Sequence, residues 1–188
     1  MTRLENGNCI IEIALDDTYC TDREFNGKYD IVINPLGHPQ NEYYRAYAIH
    51  VILKDRKYSV ALIGDCNCWD DHCGVIDGDI LTLLQGWEIT QFDVAAAHVI
   101  RSVTLDTMAP NFEIHKANTG YLIYGETEIT MLNDELELLW SFSGSDIFVS
   151  NSGKKPFEMK EDRICLYDFM DHYYELDFQG NVVCHDDR

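Results

Sequence analysis

The feature that most constrains this chain is a threefold repeat. Leu81-Thr82-Leu83-Leu84 leads into Trp87-Glu88-Ile89-Thr90-Gln91-Phe92-Asp93. Tyr121-Leu122-Ile123-Tyr124 leads into Thr127-Glu128-Ile129-Thr130-Met131-Leu132-Asn133. Ile164-Cys165-Leu166-Tyr167 leads into Asp171-His172-Tyr173-Tyr174-Glu175-Leu176-Asp177. Ile89, Ile129 and Tyr173 correspond, at spacings of 40 and 44 residues. Each segment reads as a strand, a short polar connection, a second strand and an Asp or Asn stop. The stop has a physical reason: its side chain can bond the backbone two residues on and turn the chain. A further strand follows each segment (98–105, 136–142, 181–184), and a leading strand precedes it (58–63, 112–116, 147–150). Each unit is therefore expected to be a four-stranded antiparallel meander, with units at about 58–106, 107–144 and 145–188.

A period near 40 residues with four strands per unit resembles a β-propeller blade. The resemblance covers residues 58–186, roughly. The Gly-His and Trp-Asp pairs of the best-known propeller family are missing from their usual places; Trp69-Asp70 falls in a Cys-rich turn instead. Residues 119–184 also resemble uncharacterised bacterial proteins, a resemblance that implies no activity and no site residues. The runs 9–15, 29–34 and 43–53 supply an irregular unit at about 1–57, and Lys54-Asp55-Arg56-Lys57 reads as a hairpin loop. Helical periodicity is scarce; the best stretch, 92–101 with its Ala triplet, has too few periodic positions. The expected fold is all-β: consecutive meanders in one domain, propeller-like, with four blades as the smallest closed form. A β-sandwich or open β-roll is the alternative.

Composition narrows the function classes. The chain has 188 residues with 14 Lys plus Arg against 33 Asp plus Glu, a net charge of −19. Such a charge is repelled by phosphate lattices, so neither nucleic acid nor an anionic membrane is an expected partner. At 46% hydrophobic and 12% aromatic the chain is too apolar to be a disordered acidic tail. The start lacks a basic stretch leading into an apolar core, and the apolar runs are far short of a membrane span, so a cytoplasmic protein is expected. The cysteines number seven, which favours reduced thiols. Cys165, inside an apolar run, reads as a small buried hydrophobe. Many acids fall in connections, among them Asp65, Asp70, Asp71, Asp77, Asp93, Glu126, Asp134, Glu135, Asp168, Asp171 and Asp186. A meander gathers its connections on two rims, so these are expected to form rim charge.

The densest polar cluster is Asp65-Cys66-Asn67-Cys68-Trp69-Asp70-Asp71-His72-Cys73. Zinc takes four soft or borderline ligands in a tetrahedron, and Cys66, Cys68, His72 and Cys73 are the residue types required. Their spacing argues against it, because adjacent residues on an extended chain point to opposite faces. A surface turn with partly buried thiols is the plainer reading. No nucleophile signature surrounds any Cys, no Gly-x-Ser-x-Gly elbow is present around Ser143-Gly144-Ser145, and no Gly-rich phosphate loop or Ca²⁺-loop pattern exists. Asp77-Gly78-Asp79 reads as a hairpin turn. No cofactor and no metal is expected.

Two readings follow. The first is a non-enzymatic acidic interaction module, for instance of the immunity-protein kind, that meets a basic protein. Its candidate binding residues are Trp69, Asp70, Asp71, His72, Trp87 and Trp140. Aromatics with an acidic rim suit such a surface, although packing between sheets is the plainer role for most of them. The second reading is a metal-binding enzyme or redox protein organised around Cys66 to Cys73.

Overall fold

The computed structural model describes residues 1–19, 29–39, 44–66 and 72–186. Among them every regular element is a strand: β1 (Thr2–Glu5), β2 (Cys9–Asp16), β3 (Ile31–Ile33), β4 (Arg45–Leu53), β5 (Lys57–Gly64), β6 (Gly74–Asp77), β7 (Ile80–Gln85), β8 (Glu88–Asp93), β9 (His98–Thr104), β10 (Asn111–Ala117), β11 (Gly120–Gly125), β12 (Ile129–Leu132), β13 (Leu138–Phe142), β14 (Phe157–Met159), β15 (Ile164–Tyr167), β16 (Tyr173–Leu176) and β17 (Val182–Asp186). They form four sheets, ordered β1-β2-β4-β5-β3, β6-β7-β8-β9, β10-β11-β12-β13 and β14-β15-β16-β17. The all-β, propeller-like class expected from the repeat is what the chain adopts: the last three sheets are four-stranded meanders in chain order. No helix among the described residues is long and apolar enough to cross a membrane.

The repeat is visible in register. Leu84 pairs Ile89, Tyr124 pairs Ile129 and Tyr167 pairs Tyr173, each at the start of the third strand of its sheet. The second strands are almost wholly buried, which their continuous apolar runs require. In all three sheets the ladder to the fourth strand slips by one residue at the same step, between Gln91 and Phe92, Met131 and Leu132, and Glu175 and Leu176. The Asx stops all accept backbone amides of the following turn, but only Asp177 does so at the expected two residues on; Asp93 reaches three (the Ala96 amide, 2.7 Å) and Asn133 four. Asn133 Oδ1 accepts the Glu137 amide (2.8 Å), and Asp177 Oδ1 accepts the amides of Gln179 and Asn181 (2.9 and 2.8 Å). Gly78, in the expected Asp-Gly hairpin, has φ +58°.

Two leading strands differ from expectation. The run 58–63 is β5, and it belongs to the first sheet, where the tight 54–57 loop folds it antiparallel onto β4. Its other edge takes β3 in parallel. The second sheet instead starts at β6. The run 147–150 is not a ladder strand either. Its backbone links turns, with the Phe148 amide on Glu126 O (2.6 Å) and the Phe169 amide on Ile147 O (2.8 Å), so β14 leads the fourth sheet.

The chain divides into two compact units, Met1–Asp106 with Phe112–Ile114, and Thr107–Asn111 with His115–Arg188. In unit 1 the alternating residues Ile11 and Ile13, Tyr47, Ile49 and Val51, and Val60 and Leu62 pack with Leu81, Leu83, Phe92 and Val94. In unit 2 an aromatic layer does this work. Tyr124 stacks on Phe157 (4.8 Å), and Tyr174 meets Phe142 and Phe148 edge-on (5.5 and 6.2 Å). Aromatic packing thus accounts for Tyr174, while Tyr167 and Tyr173 pair with each other on the opposite face of their sheet (4.8 Å).

Candidate functional site

Trp69, Asp70 and Asp71, with Asn67 and Cys68, lie outside the described residues. The ends of that segment are visible. Cys66 and Cys73 are both buried in the unit 1 core with different partners. Gln85 Nε2 donates to Cys66 Sγ (3.3 Å), and Cys73 Sγ shares a hydrogen bond with Thr2 Oγ1 (3.4 Å). His72 is exposed, and its carbonyl accepts the Ile114 amide (2.9 Å). Trp87 is half-buried in the β7–β8 turn of unit 1, its carbonyl accepting the Leu105 amide (2.7 Å). Trp140 is half-buried on β13 of unit 2.

Of these residues, Trp140 stands at a built contact. Its ring lies against Gly180 in the β16–β17 turn, so close that a Cβ there would meet the indole at 2.7 Å. Its Nε1–H donates to Phe178 O (3.1 Å). The indole therefore ties the outer hairpin of the third sheet to that of the fourth. The two sequence segments that meet at this contact carry charge of one sign. Residues 133–153 and 164–186 contain no Lys or Arg, while they carry Asp134, Glu135, Glu137, Asp146, Asp168, Asp171, Glu175, Asp177 and Asp186. Asp134 is met by Lys116 (2.6 Å), Glu175 by Arg163 (2.9 Å) and Asp171 by Lys154 (3.6 Å). All three cations come from outside these segments.

Asp168 corrects the rim expectation. It is fully buried, and it anchors the β15–β16 turn. Its carboxylate accepts the amides of Met170 and His172 (3.0 Å each), the His172 Nδ1–H (2.9 Å) and the Tyr174 hydroxyl (3.0 Å). Burial pushes its carboxyl up, but the hydrogen bonds from His172 and Tyr174 and the nearby imidazole outweigh this and hold it below the ordinary value. A carboxylate with this many donors is a structural anchor, and the imidazole is locked to it. The equivalent place in the other two sheets is also polar and buried. Gln85 fills the space against Gly64, and the Asn111 amide oxygen fills the space beside Gly125. The sequence carries part of this signal: Gln85 and Asp168 directly follow the repeated apolar run, whereas Gly125 follows it in the third sheet and the polar group there, Asn111, comes from β10.

Unit 1 also carries a shallow groove of about 520 Å³, lined by Glu12, Asp30, His50, Ile52, Lys57 and Ser59 among others. Glu12 faces His50 and His50 faces Ser59 across the strands. This is not a nucleophile–base arrangement: Ser59 Oγ donates to Asp30 Oδ2 (2.9 Å), and Arg3 pairs Glu12 (2.9 Å). The Ser59 hydrogen bonds hold the Asp30 carboxyl below its usual value.

No protein-family model matches the chain, and no curated protein matches it in sequence. Among solved structures it is similar to BamB from Moraxella catarrhalis, at 10% identity and a TM-score of 0.49, covering 78% of this chain and 46% of that one. It is also similar to Hsv2 from Kluyvelomyces marxianus, at 7% identity and a TM-score of 0.47, covering 81% of this chain and 48% of that one. A KlHsv2 variant with loop 6CD replaced by a Gly-Ser linker gives 6% identity and a TM-score of 0.46, covering 82% and 49%. This chain spans about half the length of each.

Proposed function

We propose that the chain is a non-enzymatic interaction module whose partner is a basic protein. The observation that carries this is the charge of unit 2. Two long segments there hold carboxylates and no Lys or Arg, around a half-buried indole that ties two outer hairpins together. Such a surface attracts a cationic partner over distance, and the attraction is screened by salt. With Asp168 buried and Asp134 met by Lys116, the charge is left to residues such as Glu135 and Glu137, which are exposed. An immunity-type role, masking a basic toxin, is one form of this function.

The test is cross-linking in an extract of the source cells, identification of the linked partner, and titration of the purified pair at low and high salt. A basic partner whose affinity falls steeply with salt is expected. An acidic partner, or an affinity indifferent to salt, overturns the proposal.

A further inference from the structure

The slipped ladders leave one residue of each outer strand without a cross-strand partner. Gln91 pairs Arg101 and Phe92 pairs Val99, so Ile100 is the extra residue of β9. Met131 pairs Trp140 and Leu132 pairs Leu138, so Leu139 is the extra residue of β13. Glu175 pairs Cys184 and Leu176 pairs Val182, so Val183 is the extra residue of β17. Three sheets thus place an aliphatic side chain at one equivalent bulged position. All three are exposed, at 39%, 50% and 62%. The residue before each is aliphatic too, and Leu138 and Val182 are exposed at 62% and 50%.

A bulge commonly blunts an outermost strand, and natural edges add Lys or Pro to keep other chains away. Here the bulge displays an aliphatic pair instead. Exposed apolar surface rimmed by polar groups marks an interaction site. In unit 2 both pairs adjoin the Trp140 contact in sequence: Leu139 directly precedes Trp140, and Val182 lies two residues beyond Gly180. Both also lie within the two segments that carry carboxylates and no cation. The counterpart in unit 1 differs, because Arg101 directly follows Ile100.

We infer that Leu138-Leu139 and Val182-Val183 are the apolar anchors of a docking surface for a basic protein segment. Apolar side chains of that segment seat on the two pairs, and its Lys or Arg residues meet the surrounding carboxylates. The inference rests on the basic-partner reading above and adds where the partner sits and what else it must carry.

The experiment uses the full chain with methyl-labelled Leu and Val, observed by NMR, and three short synthetic peptides alternating Lys with Leu, Lys with Ser, and Glu with Leu. The Lys/Leu peptide is expected to shift the methyls of Leu138, Leu139, Val182 and Val183. The double variant Leu139→Ser with Val183→Ser is expected to weaken it roughly tenfold or more at an unchanged melting temperature. If that variant melts early, the single near-isosteric Val183→Thr replaces it, with a smaller loss of affinity expected. Equal binding of the Lys/Ser and Lys/Leu peptides overturns the anchoring role and leaves the basic-partner reading standing. Equal binding of the Glu/Leu and Lys/Leu peptides overturns the basic-partner reading itself. A dimer of the unmodified chain in light scattering that the Ser substitutions dissolve overturns the assignment too, because a second copy then covers the surface.

Discussion

Gly180 and the Trp140 indole are in contact that no other residue at 180 would permit: an added Cβ would lie 2.7 Å from the ring, and the backbone there has φ +83°. Both facts weigh against any substitution. A left-handed φ costs an L-residue about 1–2 kcal/mol, and forcing atoms into a filled contact costs about 1–3 kcal/mol more. Gly153 separates the two effects, since its φ is +81° with nothing near its missing Cβ. Gly180→Ala is expected to lower stability by about 2–5 kcal/mol and Gly153→Ala by about 1–2 kcal/mol. Urea unfolding of the two variants checks this. Equal shifts in midpoint would mean that the indole yields without cost.

Asp168 sets an acid limit. Its folded carboxyl is held below the ordinary value by the groups that donate to it, so its contribution to stability is present above the unfolded value of about 4 and is lost as pH falls through the folded value. Asp168→Asn keeps the size and can leave an oxygen on the Met170 and His172 amides, but it puts an NH2 donor where Oδ2 accepts the His172 Nδ1–H and the Tyr174 hydroxyl. Leaving buried partners unmatched is expected to cost about 2–4 kcal/mol near neutral pH. The gap between the two proteins should narrow as the pH falls below about 4. Denaturant titrations near neutrality and in acid measure it, and a gap that stays constant would show that the charge of Asp168 contributes nothing.

The sequence made the local parts of the fold readable and hid the distant ones. Ile89, Ile129 and Tyr173 could be matched because a strand, a turn and the next strand form a local unit, and the ladders confirm the match. The apolar run of β5 fits the repeat as well as a leading strand would, whereas the 54–57 hairpin binds it to β4. The run 29–34 is legible as a strand and contains β3, but its parallel pairing to β5 leaves no local trace, because the two strands are distant in sequence. Asp168 looked like any turn carboxylate. Only when His172 and Tyr174 close around it does it become a buried anchor. The bulged aliphatics escaped for a related reason. A one-residue slip is set by the opposing strand, and the composition of β13 or β17 alone does not reveal it.

Tyr58 gives an alkaline counterpart. Its hydroxyl donates to Val94 O (2.5 Å) and holds the β8–β9 connection against β5. Burial pushes the phenol up to about 12; nearby Arg56 lowers it, and the charge of Asp93 adds to the rise. With the folded value raised, the stabilisation is complete below the unfolded value of about 10 and disappears as pH rises toward 12. Tyr58→Phe is expected to cost about 1 kcal/mol at neutral pH and to remove this alkaline loss. A spectrophotometric titration of tyrosinate formation, compared between the two proteins, checks it. The late-ionising component should be smaller in the variant, and an unchanged titration curve would refute the assignment.

Ala97 offers a change in the opposite direction. It sits at the close of the β8–β9 turn with φ +57°, a conformation its Cβ disfavours, while the β16–β17 turn places Gly180 in the left-handed region near its own close. Replacing Ala97 by Gly relieves about 1–2 kcal/mol of backbone strain and adds about 0.5–1 kcal/mol of unfolded-chain entropy. The net expectation is a gain of about 0.5 kcal/mol, read as a higher urea midpoint at an unchanged slope. Leu136, at φ +64° in the β12–β13 turn, should not behave in the same way, because its side chain is buried at 6% exposure. Leu136→Gly would relieve similar strain but would lose about 2 kcal/mol or more of burial. Opposite signs for Ala97→Gly and Leu136→Gly are therefore the expected pair of results. A lower midpoint for Ala97→Gly would mean that the Ala97 methyl, packed at the edge of the unit 1 core, contributes more than its backbone costs.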